Sequence, residues 1–414
     1  MKHLPRSLVL LATCTLSSLA AASALKPRQY TTCLPTPLLS PPNPACPLES
    51  DGRFWSPTPW CPTPSDGYES GPPDCIFTTP HIRNQGLSVI TFPPLAAALV
   101  SPALDDSLVP PSFRRYNSSA EKWKIAPLSN RGLGLVATGS FKQHETVMVG
   151  FPVLIVRLEF INGDRYSMKN KRKMLDVAVG NLPEETRRQV EGLARSNPSN
   201  EKDWIVDVLR TNGFGIEIAG EGHLALFLEG SRVNHNCRPN AFWRWVPSKL
   251  AMEVVALRGI GKGEEVAHSY APLGYTHEQR KAVLQPWGFQ CQCALCSAPA
   301  RERDVADARR DRILEVYQTL SKAADLNSVE RVDQLVNEAL VLIEKEELQP
   351  QLVEYYAHFA RAYIEINELK KAREFIQKAD KMWLLYGGEE HENVDGMLEL
   401  WNLLKEAELE AEDD

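Results

Sequence analysis

The feature that most constrains the fold of this chain is a cysteine-rich loop near residue 290. It reads Phe289-Gln290-Cys291-Gln292-Cys293-Ala294-Leu295-Cys296 and places three thiols in one tight segment. Zinc prefers four ligands in a tetrahedron, so a fourth thiolate has to come from elsewhere in the chain. Cys237 is the other cysteine in this part of the sequence. A disulfide knot is the alternative, but it would leave one of the three local thiols over. The spacing therefore favours a zinc site.

The N-terminus has the pattern of a secretory signal peptide over residues 1–24. Lys2, His3 and Arg6 precede an uncharged apolar run at residues 7–19, and Ala22-Ser23-Ala24 supplies a small-residue cleavage pattern. The apolar run is too short for a transmembrane helix, and no other stretch is long enough for one. We therefore expect the secretory pathway or secretion, with the cytoplasm or nucleus as the alternative if the signal is not used.

Residues 25–115 form a leader that contains most of the thirty prolines of the chain. Such a composition disfavours helices and a packed core, so we expect an irregular segment. In a secreted chain, its widely spaced cysteines predict two disulfides whose pairing the sequence leaves open. These cysteines are Cys33, Cys46, Cys61 and Cys75. Asn117-Ser118-Ser119, just after the leader, is a candidate glycosylation acceptor.

The hydrophobic pattern changes after residue 120. Residues 123–126, 145–149, 151–158, 215–219 and 250–257 are strand-like. Apolar residues recur at helical spacing between about 165 and 210, which predicts a helical insert. Residues 301–405 are helical in pattern and precede an acidic tail at 406–414. One stretch matches the packing offsets of a tetratricopeptide repeat, at Ala360, Tyr363, Ala372, Ile376 and Ala379.

Three further motifs are weak when each is taken alone. The glycines of Asn130-Arg131-Gly132-Leu133-Gly134 permit a close backbone approach, but equally a plain tight turn. Asn234-His235-Asn236-Cys237-Arg238-Pro239-Asn240 could be a polar loop that caps a helix. The third motif runs from Gly261 through Glu264 and Glu265 to Tyr270, which alone would be an ordinary core residue. We interpret the two glutamates as a charged pair beside a turn, and His268 as structural or exposed.

In this order, the glycine turn, the Asn-His-x-Cys-x-Pro-Asn motif, the Gly-Glu-Glu-x4-Tyr motif and the cysteine loop resemble a SET domain with its post-SET zinc loop. The likeness is greatest to the SET-and-MYND class and to related fungal SET-domain proteins. It covers residues 121–300 and, more loosely, 301–405. It implies an α+β fold: a SET-type β-fold of several small sheets with a pseudoknot at 121–272, a zinc loop at 273–300, and an all-α, tetratricopeptide-like domain at 301–405.

The resemblance implies an S-adenosylmethionine-dependent protein lysine methyltransferase that also binds Zn²⁺. Tyr270 would be the catalytic residue and would line the lysine channel with Phe214. Cofactor binding would fall to Asn130, Arg131, Gly132, Gly134, Asn212, Ser231, Asn234, His235, Tyr270 and Phe289. The metal ligands would be Cys237, Cys291, Cys293 and Cys296. The partner would be a histone or another protein that presents a lysine, with a second partner at the helical domain.

Two departures from the family pattern stand out. Asn236 occupies the place of the usual serine, and no cysteine lies between Cys75 and Cys237, so a MYND finger is missing. The formal net charge of −7 gives no support for direct nucleic-acid binding, which requires a basic surface. The alternatives to an enzyme are an inactive SET-fold scaffold and a secreted interaction protein. Retention of Asn234, His235 and Tyr270 favours the enzyme.

Overall fold

The computed structural model describes Trp55 and residues 59–62, 71–99, 122–326, 328–388, 390 and 394–413. The signal peptide, Cys33, Cys46 and the Asn117 acceptor lie outside these residues. The chain divides into two compact units. The first contains the residues up to Asp106 together with Pro152–Phe227, and the second contains Ser107–Phe151 together with Leu228–Asp414.

A five-stranded sheet forms the centre of the first unit. Its strands are β1 (Cys75–Thr79), β2 (Leu87–Thr91), β6 (Pro152–Arg157), β7 (Phe214–Ile218) and β8 (Glu221–Phe227). Their order is β1-β2-β6-β8-β7, with β2 and β6 parallel and the other neighbours antiparallel. Every residue of β2 and β6 is buried, as the β-branched and apolar side chains of these strands lead one to expect.

The structure differs here from the expectation of an irregular leader. Residues of the leader form β1, β2 and the helix α1 (Pro93–Leu99). The prolines lie outside β1 and β2, whose five-residue segments are rich in β-branched residues and therefore suit a sheet. Cys61 and Cys75 form a disulfide that ties the preceding segment to β1. Arg157 and Asp74 form a buried, bidentate ion pair at 2.8 and 2.9 Å.

The expected helical insert is present in the first unit. After the short helix α2 (Leu158–Asn162), it consists of α3 (Met168–Gly180), α4 (Glu184–Glu191) and α5 (Trp204–Asn212). Ser167 caps α3 by accepting a hydrogen bond from the backbone N–H of Asn170. Asp207 in α5 accepts hydrogen bonds from Ser196 and Asn197, which fixes the loop that precedes this helix.

Two small sheets form the β part of the second unit. One has the order β10-β11-β5, and the other has the order β3-β4-β12-β9. The strands are β3 (Trp123–Leu128), β4 (Gly132–Ala137), β5 (Thr146–Gly150), β9 (Asn234–His235), β10 (Ala241–Val246), β11 (Ala251–Ala256) and β12 (Glu265–His268). Strands β9 and β12 are parallel, with Asn234 opposite Ala267 and His235 opposite His268. This pairing brings two distant motifs side by side.

After β12, the described part of the second unit is mainly helical. They are α6 (His277–Leu284), α7 (Ala300–Leu320), α8 (Ala323–Leu326), α9 (Val329–Lys345), α10 (Leu352–Glu365), α11 (Leu369–Tyr386) and α12 (Val394–Asp413). The residues that suggested a tetratricopeptide pattern all lie in the hydrophobic core of these helices: Ala360, Tyr363, Ala372, Ile376 and Ala379. Among the described residues, no helix is both long and apolar enough to cross a membrane.

Candidate functional site

The glycine-containing turn between β3 and β4 contacts the Asn-His motif. Asn130 (φ 59°) and Gly132 (φ +69°) both have left-handed backbone conformations, which tightens the turn. Arg131 then donates a hydrogen bond of 2.6 Å to the carbonyl oxygen of His235 and lies 3.2 Å from the carboxylate of Glu265. The turn is therefore both a strand connection and one wall of the candidate site.

Asn234 is held by its side chain. Its Nδ2 donates to Glu265 Oε1 at 2.9 Å and to the carbonyl oxygen of Leu133 at 3.3 Å. Gly134 lies directly beneath it, so that a Cβ at this position would be 2.8 Å from Asn234 Nδ2. The absence of a side chain at Gly134 thus allows the backbone of the turn to approach Asn234 closely.

Asn236 and Asn240 stabilise the segment that follows. The backbone N–H of Asn236 donates to His268, and its Oδ1 accepts a 3.0 Å hydrogen bond from the N–H of Arg238. This is an Asx turn, which a serine hydroxyl can also make, so the departure from the usual serine preserves the local structure. Asn240 donates to Glu264 and to the carbonyl of Glu265, and it accepts from the N–H of Ala267.

Tyr270 follows the end of β12 and is directed into the protein. Its hydroxyl donates to the carbonyl oxygen of Val233 at 3.1 Å. Burial raises the pKa of the phenol above its ordinary value, so the hydroxyl stays protonated. The ring centroid lies 4.9 Å from His268, 5.5 Å from Trp287 and 6.3 Å from Phe289. Tyr270 is thus enclosed by aromatic rings and suits orientation rather than base catalysis.

Two histidines belong to this aromatic cluster. Burial lowers the pKa of His235 to about 3 and that of His268 to about 4, so both rings are neutral at physiological pH. His235 Nδ1 accepts the backbone N–H of Tyr270 at 2.9 Å, and its Nε2 lies 3.2 Å from Cys237 Sγ. His268 is buried, which agrees with a structural rather than an exposed position.

Four thiols meet beside His235. The Sγ atoms of Cys237, Cys291, Cys293 and Cys296 all lie within 4.8 Å of one another, and none of these four is in a disulfide. Cys237 Sγ is 3.5 Å from Cys296 Sγ and 3.9 Å from Cys291 Sγ. A tetrahedron of thiolates at about 2.3 Å from zinc has sulfur–sulfur edges of about 3.8 Å, so the donor set fits this metal. Hydrogen bonds from Cys237, Cys291 and Cys296 lower the pKa of the Cys293 thiol.

Phe289 precedes the cysteine loop and keeps 39% of its surface exposed. Its ring lies 6.2 Å from that of His235. It also lines a cavity of about 660 Å³ with residues of α6, of the cysteine loop and with Arg303. An aromatic face is therefore accessible beside the motif, in a cavity large enough for a small molecule.

The remaining candidates are placed differently. Asn212 and Phe214 lie in the first unit, where Asn212 Nδ2 donates to the carbonyls of Ala194 and Val208 and Phe214 packs edge-on against Phe227. Ser231 lies in a 3₁₀ turn, Gly230–Arg232, of the second unit. The structure thus gathers Arg131, Gly134, Asn234, His235, Tyr270, Phe289 and the four cysteines in the second unit.

Two residues of the site were missed by the sequence argument. Glu265 anchors both Arg131 and Asn234, although it was interpreted with Glu264 as a charged pair beside a turn. The strand pattern of β12 could have revealed this, because neighbouring residues in a strand point to opposite faces. Trp287 packs against Tyr270, and the sequence carries no local signal for that contact.

Asn234, His235 and Tyr270 lie in a segment of the chain that matches a known domain family. Residues 132–271 match the SET domain family. The chain is similar to the histone-lysine N-methyltransferase set5 of Schizosaccharomyces pombe, at 27% identity over 50% of this chain and 60% of the relative. It also resembles a SET and MYND domain-containing protein of Dictyostelium discoideum, at 32% identity over 23% of this chain and 31% of the relative.

A third relative is the N-lysine methyltransferase SMYD2-B of Xenopus laevis, with 32% identity over 26% of this chain and 25% of the relative. The chain thus spans 60% or less of the length of these three relatives. The expected relationship to fungal SET-domain proteins and to the SET-and-MYND class is confirmed.

Proposed function

We propose that the protein is an S-adenosylmethionine-dependent protein lysine N-methyltransferase. The observation that carries this proposal is the convergence of Arg131, Asn234, His235 and Tyr270 on one parallel strand pair, beside the exposed ring of Phe289. The relatives named as lysine methyltransferases support the same activity. Their names also suggest a histone or another lysine-bearing protein as the substrate.

The cofactor-binding residues would act as follows. The backbone of the 130–134 turn and the side chain of Asn234 would hold the amino-acid end of the cofactor. The main chain of His235 and the ring of Phe289 would hold its adenine. Ser231 is a further candidate. When bound, S-adenosylmethionine supplies an electrophilic methyl group.

The substrate lysine has to attack as a neutral amine, and an apolar channel lowers its pKa by desolvation. Tyr270 would orient this amine and line the channel. The Tyr270 hydroxyl stays protonated because burial raises its pKa, so it donates a hydrogen bond and does not remove a proton. Alignment of the amine with the methyl carbon would therefore supply most of the rate enhancement.

Zn²⁺ would occupy the four-cysteine cluster and order the loop that carries Phe289. The sulfur separations support this assignment, as does the neighbouring donor His235 Nε2. Structural zinc stabilises the folded loop because its ligands converge only in the folded state.

The test is transfer of a labelled methyl group by the full chain to histones and to proteins of a cell lysate. Tyr270→Phe and Asn234→Ala should abolish transfer, whereas Tyr275→Phe, which alters a nearby and 37% exposed tyrosine, should retain it. Absence of label with the cofactor still bound would indicate that the substrate is missing from the panel. Failure of the folded wild type to bind the cofactor would favour the scaffold alternative.

For the location, we propose the secretory route. The signal-peptide pattern and the Cys61–Cys75 disulfide support it, because disulfides persist in oxidising compartments. A fusion that bears the native N-terminus should be cleaved and exported. A wholly cytosolic, uncleaved fusion would overturn this part of the proposal.

For the C-terminal helices, we propose a tetratricopeptide-like packing that presents a surface to a protein partner. The burial of the pattern residues in the helical core supports it. Deletion of residues 394–414 should then reduce methylation of a protein substrate more than methylation of a short lysine peptide.

A further inference from the structure

The side chain of His235 bridges the cysteine cluster and Tyr270. Its Nδ1 accepts the backbone N–H of Tyr270 at 2.9 Å, and its Nε2 lies 3.2 Å from Cys237 Sγ. A ring nitrogen that accepts a hydrogen bond carries no proton, so in the neutral imidazole the proton is on the other nitrogen. The Nε2–H of His235 therefore donates to the sulfur of Cys237.

The backbone of His235 is held in place by its neighbours. The carbonyl of His235 accepts from Arg131, and its strand pairs with β12, opposite His268. The N–H of Asn236, the next residue, donates to the carbonyl of His268. The ring is 3% exposed. Since the ring has little freedom to turn, a change at the Cys237 sulfur acts on the hydrogen bond to Tyr270.

We propose that His235 is a positioning residue that couples metal binding at the cysteine cluster to the placement of Tyr270. This inference rests on the proposed function, because it assumes a metal at the four cysteines and a catalytic Tyr270. The contact between His235 Nε2 and Cys237 Sγ joins the ring to the cluster, so a metal that moves this sulfur also moves the ring. Because Nδ1 of the same ring accepts the N–H of Tyr270, this movement reaches the backbone of Tyr270.

The opposite tautomer would break the bridge. With the proton on Nδ1, the ring would face the N–H of Tyr270 with a second donor, and the backbone of Tyr270 would have to shift. Hydrogen bonds from neighbouring residues to the metal ligands commonly orient a metal site. Here the same ring would carry the orientation onward to the backbone of Tyr270.

Two substitutions separate the two ends of the bridge. In His235→Asn, the side-chain oxygen reaches about as far as Nδ1, so it can accept from Tyr270 but not donate to the sulfur. In His235→Gln, the side-chain amide reaches about as far as Nε2, so it can donate to the sulfur while the acceptor at Nδ1 is lost. If the His235 ring only filled space, both variants would have the same effect on the Tyr270 amide resonance.

The experiment compares the full chain loaded with Zn²⁺ and with the larger Cd²⁺, which keeps the loop folded but moves the sulfurs outward. The readout is the backbone amide resonance of Tyr270 in protein labelled with ¹⁵N-tyrosine, assigned by its loss in Tyr270→Phe. In the wild type, this resonance should shift between the two metals. In His235→Asn, the shift should disappear while the resonance stays near its wild-type position.

In His235→Gln, the Tyr270 resonance should move upfield with either metal, because the hydrogen bond to its N–H is lost. An equal metal-dependent shift in the wild type and His235→Asn would overturn the proposal, since the coupling would then pass through the loop. If His235→Asn does not take up metal, His235→Gln provides the test. A Tyr270 resonance that stays at its wild-type position in His235→Gln would contradict the proposed role of His235. Because methyl transfer is not measured, an inactive protein that shows the expected shifts would contradict only the proposed function.

Discussion

Gly134 and Asn234 approach each other so closely that a side chain at the first would displace the second. A Cβ on Gly134 would lie 2.3 Å from Leu128 Cδ1, 2.8 Å from Asn234 Nδ2 and 3.2 Å from Glu265 Oε1. Carbon contacts of this length are well inside the 3.5–4.0 Å optimum for dispersion. The same Asn234 amide donates to Glu265, so a shift of Asn234 would also disturb the partner of Arg131.

Gly134→Ala should therefore weaken S-adenosylmethionine binding by about tenfold or more, since about 1.4 kcal/mol of displacement cost is enough for that change. Isothermal titration of the cofactor measures it. The matched control is Gly180→Ala, because a Cβ there meets nothing within 4 Å. Equal affinity of Gly134→Ala and the wild type would show that Asn234 does not bind the cofactor.

Much of the candidate site was predictable because motif order constrains it. The Asn234–Asn240 segment, Tyr270 and the four cysteines come together in the structure. The helical insert and the C-terminal helices were also expected, because helical periodicity is local.

The rest depends on contacts between distant segments. Strand β2 pairs in parallel with β6, and the local sequence of the proline-rich leader does not indicate this pairing. The average composition of residues 25–115 is rich in proline, although β1 and β2 contain none. The composition of the whole segment therefore did not predict these two strands. Trp287 likewise contacts Tyr270 only because the chain returns after α6. Such pairings are set by tertiary packing, which outweighs local propensity.

Glu346 provides a test of how the C-terminal helices hold the cysteine motif. Its carboxylate is fully buried and lies 2.6 Å from Arg309 Nε, 3.3 Å from Arg310 Nε and 3.5 Å from Arg238 Nη2. Arg238 directly follows Cys237 in the sequence. Removal of one partner leaves buried positive charge without compensation.

Glu346→Gln should consequently lower the free energy of unfolding by about 3–5 kcal/mol. Glu347→Gln is the control, because Glu347 is 49% exposed and pairs with the same Arg238 at 3.6 Å. Exposed pairs contribute about 0–1 kcal/mol. Denaturant titration of both variants measures the free energy of unfolding. Equal losses would mean that the burial of Glu346 does not increase its contribution to stability.

Metal removal should expose the four cysteines together. A zinc chelator should lower the midpoint of thermal unfolding and make these thiols reactive toward a thiol reagent, since the metal stabilises the folded loop. Metal analysis should give about one zinc per chain. Cys237→Ser should reduce zinc content, whereas Gln292→Ala, which alters an exposed residue between two of the cysteines, should not. Four reactive thiols before chelation would contradict the assignment.

His223 lies on strand β8 of the first unit. The residue is fully buried, and burial lowers the pKa of its imidazole to about 4, from an ordinary value of 6.5. Its Nδ1 contacts the carbonyl of Glu221 at 2.8 Å and its Nε2 contacts the Thr91 hydroxyl at 3.2 Å. The neutral ring satisfies both contacts by donating from Nδ1 and accepting at Nε2.

Because the unfolded chain binds the proton more readily, this histidine favours the folded state fully above about pH 6.5. Its contribution, about 3 kcal/mol, is lost as the pH falls toward about 4. Carboxylates titrate in the same range, so the measurement has to be differential. The free energy of unfolding of the wild type should fall more steeply between pH 6.5 and 4 than that of His223→Gln. Parallel curves for the two proteins would show that His223 titrates normally in the folded state.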